Sequence, residues 1–137
     1  GRVVEWNPAA ERVFGYPRAA VIGQEMAALI VPEALRQAHR DGLARYLDGG
    51  EAHVLGRRLE LKGLHQDGHE FPLEAAITRI SGEDQPLFTA FLRDITDRKQ
   101  AEEALRRSHA ELEQRVAART ADLAAANKEL VSEIAER

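Results

Sequence analysis

The chain of 137 residues contains no cysteine. That excludes a disulfide framework, a thiolate nucleophile and a thiolate metal site. It also fits a reducing compartment, so a cytoplasmic location is expected, with any membrane anchor of the parent protein lying elsewhere. No apolar run approaches the roughly 20 residues needed to cross a bilayer. No secretory leader is visible, and no membrane contact by this segment is expected. There is no surplus of positive charge either. The net charge is −4, which offers no general attraction for nucleic acid or an acidic membrane. The stretch "NPAAERVFGY" has neither the glycine-rich run nor the Lys-Ser/Thr pair of a phosphate loop. No nucleophile, base and orienting group stand at a recognisable spacing. No catalytic residue is assigned, and the segment is read as non-enzymatic.

From Asp97 onward glycine and proline are absent as well. Ala, Glu, Leu, Arg and Lys dominate there, the composition of a long helix. Leu105, Leu112, Val116, Leu123 and Leu130 form a narrow apolar stripe, too thin for a globular core and suited to a coiled-coil seam. Two registers compete. In one, Leu105 and Leu112 are d, His109, Val116, Leu123 and Leu130 are a, and Arg119, Ala126 and Glu133 also fall at d. In the other, Val116, Leu123 and Leu130 are d, with Thr120, Asn127 and Ile134 at a. The second keeps Arg119 and Glu133 out of the seam and places Asn127 at a, where asparagine sets register. Passing from one register to the other is a stutter. A homodimer through this helix is expected.

The first part of the chain has a different pattern. "GRVVEW" reads as a short strand. In "NPAAERVFGY", Asn7 is a good N-cap, Pro8 fits N1 and Gly15 can end the helix. "PRAAVIGQ" is a second short helical turn. "VPEALRQAHRDGLARYLDGG" is the longest helix of this part, with Leu35, His39, Leu43 and Tyr46 at helical spacing and Gly49-Gly50 as the stop. The period then becomes two. In "HVLGRRLELKGL", Leu55, Arg57, Leu59 and Leu61 share one face. Asp67-Gly68 marks a hairpin. "EFPLEAAITRI" puts Phe71, Leu73, Ala75 and Ile77 on one face, "SGEDQ" is the next turn, and "PLFTAFLRD" is the last strand. Three consecutive strands with short turns imply an antiparallel sheet and an α+β class with helices on one face. The globular part is expected at 1–96 and the coiled-coil helix at 97–137, with Thr96 as its cap.

The ordered set "GRVVEWNPAAERVFGY", "VIGQ", "HQDGHEFPLEAAI" and "FLRDIT" resembles the PAS domains of bacterial sensor histidine kinases. The resemblance covers roughly residues 1–96. It implies a sensory fold that binds a small ligand or relays a signal, with Asp94, Ile95 and Thr96 marking the exit of the output helix. The family strand that would precede "GRVVEW" is missing, so the domain is expected to be N-terminally incomplete, that strand being truncated or supplied by another chain. The tail "ELEQRVAARTADLAAANKEL" is similar to signalling helices that lead into histidine kinase or diguanylate cyclase domains, the partner expected downstream.

Family ligands lie between the sheet and the helix at about Glu33 to Leu47. There "RQAHRDGLARY" resembles rhizobial oxygen-sensor kinases, which place the proximal heme ligand at the position of His39. Arg45 and His53 also match arginine and histidine of those sensors. The family's oxygen-binding arginine corresponds to Leu59, with Arg57 two residues earlier on the expected strand face. Two readings of His39 stand: an axial heme ligand on a wall with Leu35 and Leu43, or a histidine packed between helix and sheet with one nitrogen bonded locally. Heme stays open as the cofactor. The cysteine-adduct flavin and the cysteine-linked chromophore of related photosensors are excluded. A structural dimerisation module with an empty core is the third reading. His65 and His69, four residues apart across the turn, are expected to be solvated and not a preformed metal site. Glu70 and Glu74 are expected as surface charges.

Overall fold

The computed structural model describes residues 1–51, 53–80, 82 and 84–137. The chain divides into two units, Gly1–Thr96 and Asp97–Arg137. The elements are α1 (Pro8–Phe14), α2 (Arg18–Val21), α3 (Met26–Ile30), α4 (Glu33–Leu47), β1 (Arg58–Leu64), β2 (Glu70–Ile80), β3 (Leu87–Asp94) and α5 (Thr96–Glu136).

Local chemistry starts α1 as expected. Asn7 has extended backbone, its side chain accepts from the Ala10 N–H at 2.8 Å, and Pro8 follows at N1. This satisfies one of the donors that a helix start leaves without a partner. Gly15 ends the helix in the left-handed region, at φ 84°, with its N–H bonded to Glu11 O.

The strands form a three-stranded sheet in the order β1-β2-β3, antiparallel throughout. Gly63 faces Phe71 and Leu73 faces Leu61 across β1 and β2, while Ala75 faces Leu92 across β2 and β3. Phe71, Leu73 and Ala75 are buried with Val3, Trp6, Phe14, Val21 and Ile30 in one core. The strand alternation therefore selects the face on which the helices pack. Trp6, Phe14 and Phe71 form an aromatic chain with centroids 5.5 and 5.6 Å apart. The Trp6 indole N–H donates to Tyr16 O at 3.1 Å, so the ring is buried without losing its polar partner. Gly63 is needed for close approach: a Cβ there would lie 2.5 Å from Leu73 Cδ2. The α+β class, the antiparallel sheet with short helices and the long final helix are all present.

Three local expectations are corrected. "GRVVEW" is not a strand of the sheet. Its backbone groups bond to the loop at 23–26 (Val3 N–H to Gln24 O, Gly23 N–H to Val3 O), leaving a single bridge, Arg2 to Glu25. Helix α3 is added between α2 and α4. The first strand begins at Arg58, because Gly56 has φ 75° and interrupts it; Leu55 makes only an isolated parallel bridge with Ile77. Arg57 thus sits in a bend before β1. Of the "SGEDQ" turn, Ser81 and Glu83 lie outside the described residues.

Candidate functional site

Helix α4 carries Leu35, His39, Leu43 and Tyr46 on one stripe. Two sets of contacts anchor it. Near its start, Arg36 Nε donates to Val31 O at 3.0 Å, and Arg40 forms a forked ion pair with Glu25 at 2.7 and 3.1 Å. Near its end, the Tyr46 ring meets Phe88 of β3 edge-on at 5.6 Å, and Arg79 of β2 donates to the Tyr46 hydroxyl at 3.1 Å. Arg79 and Phe88 are register partners, so Tyr46 rests on one rung of the sheet. His39 lies between these anchors.

The His39 ring is half-buried, and its Nδ1 is fully enclosed with no hydrogen-bond partner. Burial is the main cause that pushes its pKa below the ordinary histidine range. Arg40 acts in the same direction, and Glu25 opposes them. The imidazole is therefore held neutral near neutral pH, the form that ligates a metal or accepts a hydrogen bond. The local bond that a packed histidine was expected to make is not made by Nδ1. Of the expected wall, Leu43 is half-buried and Leu35 is 46% exposed. Leu59 is half-buried opposite Ala75, on the core face of β1. Arg57 is exposed and outside the strand, so it does not share that face with Leu59.

At the domain exit, Ile95 is 3% exposed and its N–H donates to Pro72 O at 3.1 Å. Asp94 accepts from the Thr96 N–H at 2.9 Å and from its hydroxyl at 2.6 Å. Thr96 is the first helical residue, so the capping acceptor is the Asp94 carboxylate and not Thr96 as expected. The reason is reach: from two residues back, a carboxylate can take both donors at once.

Within α5, the stripe residues Leu105, Leu112, Val116, Leu123 and Leu130 are each between 56% and 72% exposed. A shallow groove runs along Glu102, Leu105, Arg106, His109, Ala110 and Glu113. His109 pairs with Glu113 at 3.4 Å. On the outer face of the sheet Glu70 pairs diagonally with Lys62 at 3.9 Å and Glu74 with Arg58 at 3.8 Å.

One group is closer together than its sequence spacing suggested. His65, Asp67 and His69 come together at the β1–β2 turn, with ligand-type atoms all within 4.8 Å of one another. The signal was present. A turn with a glycine bulge makes its two flanking residues register partners, so histidines four apart across it lie side by side.

A family profile described as a PAS domain matches residues 1–97. The chain is 41% identical over 107 residues to an uncharacterized protein of Azorhizobium caulinodans, covering 78% of this chain and 15% of that protein. It is 31% identical over 112 residues to the sensor protein FixL of Bradyrhizobium diazoefficiens, covering 82% and 22%. It is 34% identical over 94 residues to the oxygen sensor protein DosP of Escherichia coli, covering 69% and 12%. The chain thus spans less than a quarter of the length of these relatives. Among solved structures it is similar to the PAS domain of a Colwellia psychrerythraea protein. The TM-score is 0.54 at 28% identity, over 71% of this chain and 80% of that one. Among the described residues, no helix is long and apolar enough to cross a membrane.

Proposed function

The chain belongs to the PAS domain family, and on that footing we propose that it senses or relays a signal for a downstream output domain, a histidine kinase. In this reading the segment regulates an attached catalytic domain and does not itself catalyse. The observation that carries this reading is the exit. Strand β3 leaves the sheet through Ile95, which is buried at 3% exposure, and the next residue opens α5. No slack separates a packed residue from the output helix, so displacement of β3 moves the root of that helix. A ligand beside His39 would act on α4, and α4 touches β3 through Tyr46 and Phe88. Two such states respond to a ligand only as far as its affinity differs between them.

The exposed stripe of α5 is the seam of a homodimer in this reading. Sedimentation velocity tests it on the full chain. A dimer at tens of micromolar that becomes monomeric in L112K/L123K is the expected result, and a wild-type monomer would remove the seam. Cysteines placed singly at Arg119 and Thr120 then test the register change in the parent protein. Crosslinking of the same position in both signalling states would leave a static rod.

The partnerless Nδ1 of His39 favours a second, narrower reading, a heme-binding oxygen or redox sensor. His39 would hold the iron, with Leu43 and Leu59 as apolar wall, and heme would supply gas or redox chemistry. The exposure of Arg57 means that it offers no preformed contact to a bound gas. Titration with hemin decides it: a sharp Soret band at one heme per chain, lost in His39→Ala, against loose uptake indifferent to His39.

A further inference from the structure

We infer that His65, Asp67 and His69 form a binding site for a divalent transition metal of the zinc class, distinct from the α4 region. Three features carry the inference. First, the hairpin is tightly closed. The His65 N–H donates to His69 O at 2.9 Å, the Gly68 N–H donates to His65 O at 2.9 Å, and Gly68 has φ 93°. This makes residues 65 and 69 partners across the turn, and their imidazoles stack with centroids 4.7 Å apart. Second, both rings turn the same nitrogen inward. His65 Nδ1 is 3.1 Å and His69 Nδ1 is 2.5 Å from the same atom, Asp67 Oδ1. Third, the carboxylate is fixed by the backbone, since Asp67 Oδ1 also accepts from the His69 N–H at 3.0 Å.

Two imidazole nitrogens and one carboxylate oxygen are the donor set that zinc takes at an open site, with water in the remaining position. Ligands bound at about 2.1 Å in a tetrahedron stand roughly 3.4 Å apart. The atoms here lie within 4.8 Å of one another, and on binding His65 Nδ1 exchanges the Asp67 N–H it now accepts at 3.2 Å for the metal. On binding, the metal takes the place between His69 Nδ1 and the Asp67 carboxylate, which now touch directly. His65 is the most constrained ligand. Its side chain is 25% exposed and its far edge lies against Gly15, where even a Cβ would sit 2.7 Å from Nε2. The same hairpin is tied to the end of α1 by the Gln66 N–H donating to Phe14 O at 2.8 Å. A bound metal would therefore stiffen the junction between the sheet and the first helix.

Calorimetric titration of the full chain with Zn²⁺ alone, at pH 7.5, is the test. One saturable site per chain is expected. Affinity should fall at least about tenfold in each of H65A, D67N and H69A, while H109A leaves it unchanged. Far-UV circular dichroism of the variants shows that they fold, and ¹⁵N spectra of the wild-type rings should show Nδ1 of residues 65 and 69 shifted by the metal. No saturable binding up to millimolar Zn²⁺ would overturn the site. So would binding that survives H65A and H69A, or that disappears in H109A.

Discussion

Replacing Ile95 by alanine should destabilise the globular unit strongly, although Ile95 is the last residue before a solvent-exposed helix. The side chain is 3% exposed, so nearly all of it is out of water. The change removes three carbons. At about 0.8 kcal/mol per buried methylene the transfer part alone is about 2.4 kcal/mol. Incomplete collapse of the cavity raises the loss to about 3–4 kcal/mol, inside the range seen for buried isoleucine truncations. A unit of this size, with total stability of about 5–15 kcal/mol, would lose a large fraction of it. Its Tm should drop by roughly 12–32 °C, at about 4–8 °C per kcal/mol. Urea denaturation followed by Trp6 fluorescence reads the effect. Trp6 is the single tryptophan, and it is buried in the core of this unit. Ile95→Val should cost only about 0.5–1.5 kcal/mol. A loss below about 1 kcal/mol for the alanine variant, or equal losses for both variants, would refute the wedged exit and the relay built on it.

Other perturbations separate the remaining elements. Asp94→Ala removes the acceptor for both Thr96 donors and should cost the helix start about 0.5–2 kcal/mol. Faster amide exchange in the first turn of α5, with the Trp6 midpoint little changed, would register it. Asn7→Ala should lower the urea midpoint by about 1 kcal/mol, with Asn7→Asp restoring most of it. Gly15→Ala should cost at least about 1–2 kcal/mol from the left-handed backbone alone, and displacement of the His65 ring should show in its NMR shifts. His39 gives a pH dependence. Its folded pKa lies below the unfolded value, so the unfolded chain binds the proton more readily. Stability is full above about pH 6.5 and falls as the pH drops from there through the folded pKa. Comparing urea midpoints at pH 7.5 and 5.5 should show the loss in wild type and a smaller one in His39→Leu; equal losses would remove His39 as the cause.

Elements specified by their own residues were legible in the sequence. Asn7-Pro8 and Gly15 bound α1, Gly49 follows the end of α4, and Asp67-Gly68 turns the hairpin, because each depends on the local backbone alone. The alternation of Phe71, Leu73 and Ala75 identified the buried face because β2 is central, with a neighbour on each side. What failed depended on a partner remote in sequence. "GRVVEW" has a strand's composition, but a strand needs an adjacent edge, and here its donors go to the loop at 23–26. Arg57 fell on the right parity for the inner face, and parity was lost at Gly56. The hairpin histidines were judged by sequence spacing, when the turn type sets their distance.

His39 shows how burial narrows chemistry that the sequence left open. A neutral imidazole has one N–H and one lone pair. A proton on the enclosed Nδ1 would bury a donor without an acceptor, at a cost of about 1–3 kcal/mol. With the proton on Nε2, Nδ1 offers its lone pair inward. Such an atom is satisfied by a hydrogen-bond donor or by a metal, and by neither a carbonyl nor a carboxylate. That removes anionic acceptors from the ligand classes that could engage Nδ1, and it leaves two: a molecule presenting N–H or O–H, and a metal centre. The two act on α4 differently. A donor relieves one unsatisfied atom and leaves the anchors at Glu25 and Tyr46 where they are. A metal centre carried by a large planar group must also displace the side chains that now enclose Nδ1. A shift of α4 that followed would be felt at Phe88 of β3, which the Tyr46 ring touches.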